Sequence, residues 1–267
     1  MSENTTLIER ERAAHWYYPD GRACHTLPKQ DGSGEKNTTL RDARKLGLLP
    51  SVTSIISIKS KPALEAWKTE QAILSALTLP RGTEESDDAF AKRVVEDMGA
   101  QSKQAAEWGT KIHGECENLH KTGILVQKED TYPYIKDYER WFKENIRRAI
   151  HAETTVTNPR LGYAGRVDLV AELADGRVAV IDLKTQKVKE RGPVFYEEWG
   201  MQLAAYRSAL PNGESMALMS VIIDSGNPAA VASKEWGTPD RYLLAFENCI
   251  NLWQFDRNYY PTTTPAA

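Results

Sequence analysis

Asp168, Asp182 and Lys184 are the residues whose types and spacing could do chemistry. They lie in the run GRVDLVAELADGRVAVIDLKT, residues 165–185. Asp182 and Lys184 are two apart, so on a strand both side chains leave one face. Two carboxylates facing each other across neighbouring strands repel unless they share a proton or hold a cation. A hard divalent ion with oxygen ligands resolves that conflict. Such an ion lowers the pKa of bound water and polarises a phosphate. The Lys184 ammonium could orient the attacking water or stabilise a charged phosphoryl transition state. The chemistry these three suit is hydrolysis of a phosphodiester. The plain alternative is an exposed hairpin edge with ordinary alternating charge. Val170, Val178 and Val180 around the acids weigh against it, because ionised Asp buried there needs partners.

Register decides whether Asp168 joins the other two. Asp175-Gly176 marks the reversal between two apolar strands. A two-residue loop would pair Ala174 with Arg177 and set Asp168 opposite Leu183, away from the Asp182 face. A three-residue loop, Ala174-Asp175-Gly176, pairs Leu173 with Arg177 and sets Asp168 opposite Asp182. Gly176 can supply the left-handed residue of that loop. The three-residue form is the one expected, because a slip by one residue would destroy the site.

The elements around this hairpin follow from periodicity and punctuation. Residues 1–49 read as polar and irregular, with Asp31-Gly32-Ser33-Gly34 as a loop. Thr53 or Ser54 caps a brief helix, and Pro62 opens a second that runs to about 79. Leu64, Trp67, Ile73, Leu74 and Leu77 give it one buried stripe. Two further helices are expected at about 86–98 and 101–120, the latter through Ala105, Trp108, Ile112, Cys116 and Leu119. Another is expected over Tyr138–Ile150. Strands follow at 153–157, 163–173 and 177–185, then a helix at 196–210, a strand at 216–224 and a late helix near 239–256. Pro261 to Ala267 reads as a frayed tail. No internal repeat or long linker divides the chain, so one α/β or α+β domain over residues 50–260 is expected.

The whole chain sets limits. Its 267 residues suffice for one substantial core. No apolar run approaches a membrane span, and MSENTTLIERE lacks the basic and apolar regions of a secretion signal. Three scattered cysteines form no metal-binding framework, so the cytoplasm is the expected compartment. A formal charge of −3 argues against a protein that coats nucleic acid by bulk electrostatics and favours a monomer over an extended assembly. It leaves room for an enzyme with a local basic groove.

These residues resemble the PD-(D/E)xK nuclease superfamily, in particular its RecB-like exonuclease branch with phage and mitochondrial relatives. The likeness rests on Gly165-Arg166-Val167-Asp168, then Ile181-Asp182-Leu183-Lys184-Thr185, then Gln202-Leu203-Ala204-Ala205-Tyr206. Gly109-Thr110-Lys111-Ile112-His113 looks like the branch's GxxxH element. Pro50-Ser51-Val52-Thr53 with Pro62 and Trp67 is similar to its entry region. The resemblance implies a restriction-endonuclease-like core: a central mixed β-sheet flanked by helices, with an N-terminal helical extension. It implies Mg2+ or Mn2+ held by Asp168 and Asp182, with the Leu183 backbone carbonyl and His113 as further ligands. Lys184 would be the catalytic lysine, Gln202 and Tyr206 would support the site or touch the backbone of DNA, and Glu153 would supply an upstream acid. Some relatives hold an iron–sulfur cluster with four cysteines. Three ungrouped cysteines make such a cluster unexpected here.

The activity this implies is a DNA exonuclease acting on free ends of single-stranded or processed DNA. A structure-directed endonuclease with the same chemistry and a non-catalytic nucleic acid-binding scaffold remain open. His113 and Gln202–Tyr206 also fit ordinary helix packing, and Glu198 fits a solvated surface. Arg147-Arg148, Lys184 with Lys187, and Lys189 with Arg191 are candidates for a backbone groove. Trp16-Tyr17-Tyr18 either stacks on bases or anchors the N-terminal segment.

Overall fold

The computed structural model describes residues 15–60, 62–227 and 230–261. The leader read as lacking a secretion signal, and the tail from residue 262 onward, lie outside the described residues. Among the described residues, no helix is long and apolar enough to cross a membrane.

The segment that reads as polar and irregular is partly core. Strands β1 (Trp16–Tyr17), β2 (Thr26–Pro28) and β3 (Glu35–Asn37) precede helix α1 (Leu40–Leu46) and strand β4 (Leu49–Pro50). β1 pairs antiparallel with β4. Trp16 is 1% exposed, its ring 6.1 Å from that of Trp253 and 6.2 Å from that of Tyr259. Trp16 thus anchors this segment against the last helix, and Tyr17 against Leu49 and Ala164, rather than offering rings to bases. Sequence polarity hid this because a few buried aromatics carry the packing of an otherwise solvated segment.

Helix α2 (Val52–Ile56) is capped by Ser51, whose Oγ accepts the Ser54 N–H at 3.0 Å. The cap therefore lies just before Thr53 and Ser54, at Ser51. Helix α3 (Pro62–Thr78) starts at its proline as expected. Its apolar stripe is not buried: Ile73, Leu74 and Leu77 are 55%, 47% and 77% exposed. α3 packs on α4 instead through buried Ser75, whose Oγ donates to Asp97 at 2.8 Å. Helix α4 (Asp87–Thr122) is one continuous helix of 36 residues rather than two. Gly99 and its polar neighbours weaken the pattern, but no proline interrupts the backbone ladder.

Helix α5 (Tyr132–Asn145) gives way at once to strand β5 (Ile146–Asn158). The helix expected over Tyr138–Ile150 is therefore half helix and half strand. Register shifts between Ile146 and Arg148, and between Ala149 and His151, mark irregularities in β5. They spread its apolar residues at intervals that mimic helical spacing. Strands β6 (Tyr163–Leu173) and β7 (Val178–Gln186) follow, then α6 (Glu197–Ser208), a 3-10 turn at Gly213–Ser215, β8 (Ala217–Asp224), β9 (Val231–Glu235) and α7 (Pro239–Arg257). β9 went unread because VASKE is short and half-exposed, with no clear alternation.

The central sheet runs β5-β6-β7-β8-β9. Only β7 and β8 pair in parallel; the other neighbours are antiparallel. That one parallel step requires a crossover, which α6 supplies. One apolar core gathers α2, α6 and α7 on one face, and a second gathers α4 and α5 on the other. The expected α/β architecture, a mixed sheet flanked by helices, is the observed one. Cys24, Cys116 and Cys249 are separate free thiols, each buried.

The β6–β7 turn has the three-residue form. The Leu173 N–H donates to the Arg177 carbonyl at 2.7 Å, and the ladder continues through Glu172↔Val178 to Leu169↔Ile181. Gly176 takes φ +89°, the left-handed region, and a Cβ there would meet nothing within 4 Å. The cost of a side chain is then backbone strain alone. Gly176→Val is expected to lower unfolding stability in urea by about 1–2 kcal/mol, with Gly176→Asn costing less; equal stability of all three would rule that strain out.

On the opposite face, His120 is buried with Nε2 2.7 Å from the Tyr138 hydroxyl, and Nδ1 has no partner. Burial, helped by the charge of His113, pushes this imidazole down to about 4. The unfolded chain protonates His120 near 6.5, so its contribution to stability is present above that pH and lost as pH falls towards 4. The loss amounts to about 3 kcal/mol at most. Thermal melts between pH 7 and 4 are expected to show it, and His120→Phe is expected to flatten that part of the profile.

Candidate active site

The site forms where β6 and β7 part. Their last ladder pair is Leu169↔Ile181, and one more step of that register sets Asp168 against Asp182. Alternation breaks here: Val167 and Val170, three apart, both belong to the α6-side core, while Leu169 belongs to the other. The Asp168 Oδ2 accepts the Leu183 backbone N–H at 2.7 Å, filling the place of a ladder bond. Loop length, read from sequence, thus brings the two acids together as expected.

Asp182 is 2% exposed. Its Oδ1 accepts Gln202 Nε2 at 2.9 Å, and the same Nε2 donates to the Tyr206 hydroxyl at 3.1 Å. Lys184 Nζ donates to Gln202 Oε1 at 3.3 Å and stands 2.7 Å from Asp182 Oδ2. That oxygen is buried and has no partner with hydrogen-bond geometry. The Gln202 amide is therefore committed at both ends, which fixes its orientation. α6 can hold it there because residues Gly200 to Tyr206 are buried without interruption.

Two glycines set close approaches. A Cβ at Gly165 would come 2.5 Å from Tyr206 Cε1, so β6 admits the tyrosine ring only through glycine. A Cβ at Gly109 would come 2.8 Å from Thr185 Oγ1, which marks where α4 crosses the end of β7. One helical turn later, His113 is half-buried. Burial lowers its pKa, Lys184 lowers it further, and Asp182 opposes both. Neither nearby glutamate orients its ring: Glu115 pairs with Lys128, and Glu117 with Lys121 and Arg166.

Glu153 lies on β5 between the pairs Ala152↔Leu169 and Thr154↔Val167, so the register sets it opposite Asp168. It adopts φ +51° and forms an ion pair with Arg166 at 2.5 Å. Burial and then the Asp168 charge push its carboxyl up to about 7, against the pull of Arg166. Arg166 was not singled out from sequence as a site residue. It links Glu153 to Glu117, and only the fold shows that connection.

Burial raises both central acids. Asp182 reaches about 6, with Lys184 lowering and Asp168 raising it. Asp168 is also raised by burial, against Lys184, the Leu183 N–H and Arg166. The Tyr206 hydroxyl is held well above its usual range by burial and then by Asp182. Two hard oxygen donors on adjoining strands, one with a buried oxygen that meets only the Lys184 ammonium, fit a divalent cation. Among the described residues, no group of three or more His, Cys, Asp or Glu side chains is arranged to hold one. His113 and Glu153 therefore border the acid pair without completing a side-chain cage.

Arg147 and Arg148, candidates for a backbone groove, pair with Glu172. Glu198, which fits a solvated surface in the sequence, is half-buried and lies 3.7 Å from Lys59.

A model of the PD-(D/E)XK nuclease superfamily matches residues 63–233. The chain belongs to that superfamily. No curated protein matches it. The solved structure of SSO0001 is similar at 14% identity over 74% of this chain and 93% of its own, with a TM-score of 0.35. The superfamily is broadly nucleolytic and acts on nucleic acid, so the buried acids of this PD-(D/E)XK protein sit in a fold associated with phosphodiester cleavage.

The Lys184 ammonium holds Asp182 below the value that burial alone would give. In Lys184→Met, the Asp182 carboxyl is expected to titrate above about 6 in carbon-detected NMR of the metal-free protein. A lower value would show that lysine is not its main counter-charge.

Proposed function

We propose that this PD-(D/E)XK protein is a divalent-metal-dependent deoxyribonuclease of the RecB-like branch. In this reading it is an exonuclease that works from free ends of single-stranded or processed DNA, as a cytoplasmic monomer with one nuclease domain over residues 50–260. The observation that carries it is the corner itself: a buried and a half-buried carboxyl on adjoining strands, with Lys184 held between Asp182 and Gln202.

Asp168 and Asp182 would hold Mg2+ or Mn2+, with the Leu183 carbonyl, His113 and Glu153 as the bordering groups. The ion supplies a more acidic bound water and a polarised phosphate. Lys184 places its charge where a phosphoryl group gains negative charge. Gln202 fixes both Lys184 and Asp182, and Tyr206 fixes Gln202, so the catalytic groups need little rearrangement. A basic stretch beyond Lys184 supports a phosphate backbone as the substrate, despite the overall charge of −3.

The test is a Mg2+ and Mn2+ titration on end-labelled linear single- and double-stranded DNA beside covalently closed DNA. Metal-dependent release of short products from linear DNA is expected. Asp182→Asn and Lys184→Ala are expected to slow it by about 10²–10³-fold. Cleavage of the closed substrate would replace the exonuclease reading with an endonuclease. Tight binding without cleavage would make the protein a scaffold, and unchanged cleavage by both variants would overturn the assigned chemistry.

A further inference from the structure

The loop that leaves β7 combines free cations with outward-facing aromatic and apolar side chains. Lys187, Lys189 and Arg191 are exposed, and among the described residues none forms an ion pair. Elsewhere the arginines of the sheet are neutralised, as Arg177 is by Asp175 and Glu235. The returning arm of the loop exposes Val194 and Tyr196, the latter by 39%. Tyr196 stands edge-on to Trp199 at 5.3 Å and 77°, and Phe195 meets the same indole at 6.1 Å and 79°. Tyr196 also precedes α6 without using its side chain as a cap.

This cluster adjoins the acid corner. Lys184 Nζ lies 5.8 Å from the Trp199 ring centre while keeping its 2.7 Å approach to Asp182. The loop is also pre-positioned. Gln186 donates from Nε2 to the Val194 carbonyl at 3.1 Å and accepts the Val194 N–H at 3.0 Å, tying the returning arm to β7. Lys189 and Gly192 bridge across its tip.

We propose that Tyr196, braced by Trp199, is a base-stacking shelf for an unpaired DNA strand whose backbone follows Lys187, Lys189 and Arg191 towards Asp168 and Asp182. The inference rests on the nuclease reading and adds to it a way of selecting single strands. An aromatic face accepts any nucleobase, and cations beside it follow the phosphates. Bases inside a duplex already stack on both sides, so the shelf favours an unpaired base over one in a duplex interior.

Binding can be read without cleavage in the full-length Asp182→Asn protein in metal-free buffer. Fluorescence anisotropy would compare a short labelled oligothymidylate with an abasic strand of equal length. The base-bearing strand is expected to bind about tenfold more tightly, the size of one base–aromatic stack. Adding Tyr196→Ala is expected to collapse that ratio to about twofold or less, and Tyr196→Trp to restore it. A ratio that survives Tyr196→Ala, or is absent before it, overturns the shelf while leaving the nuclease reading standing. Failure of the Asp182→Asn protein to bind either strand would overturn both.

Discussion

Two acidic groups that burial would keep protonated are forced into one corner, and the fold is arranged around that conflict. Desolvation raises both Asp168 and Asp182, and the Asp168 charge raises Asp182 further. Three groups offset the penalty: the Lys184 ammonium, the Leu183 N–H and the Gln202 amide. None of them is independent of the scaffold. Leu183 offers its N–H because the β6–β7 ladder has ended, and Gln202 is fixed because α6 is buried along that stretch. An uncompensated buried carboxylate would cost far more than a missing surface contact. The corner therefore constrains the turn, the strand register and the crossover helix together.

The close approaches follow from the same demand. Tyr206 reaches Gln202 because Gly165 has no side chain, so alanine there would push the ring off a partner of Asp182. Alanine at Gly109 would meet the Thr185 hydroxyl at the end of β7. Glu153 shows how far the strain extends. Its register places it beside Asp168, its φ is positive, and Arg166, with a smaller part from Lys121, balances it among nearby negative groups.

Legibility in the sequence followed the range of the interaction. The opposition of Asp168 and Asp182 could be derived because it depends on a three-residue turn and strand arithmetic, both local. The pairing of Gln202 with Tyr206 was likewise visible as an i, i+4 relation. That Gln202 bonds Asp182 while Lys184 bonds Gln202 was not visible, since it joins residues brought together only by the crossover. Ile146 and Ile150 misled because irregular strand pairing produces helix-like spacing. Ile73, Leu74 and Leu77 misled for another reason: a stripe in sequence is buried only where some element covers it, and α3 meets α4 through Ser75 instead. An anchoring role for Trp16 was open in the sequence, but its partners, Trp253 and Tyr259, were not visible because they lie at the other end of the chain.

Charge shows why a sum over the sequence is a poor guide to a surface. A net −3 includes carboxyls buried at the corner and others paired with arginine or lysine across the sheet and along the helices. At ordinary ionic strength a charge acts over roughly 10 Å, so a phosphate near Lys184 experiences its neighbourhood rather than the total. Within that neighbourhood Asp182 is buried and Asp168 half-buried, while Lys187, Lys189 and Arg191 lie exposed without ion-pair partners among the described residues. Even with Glu190 among them, three cations outnumber the acid of that loop. In the proposed nuclease reading, that local excess lets an acidic protein present a cationic approach to carboxyls that would otherwise repel a phosphodiester.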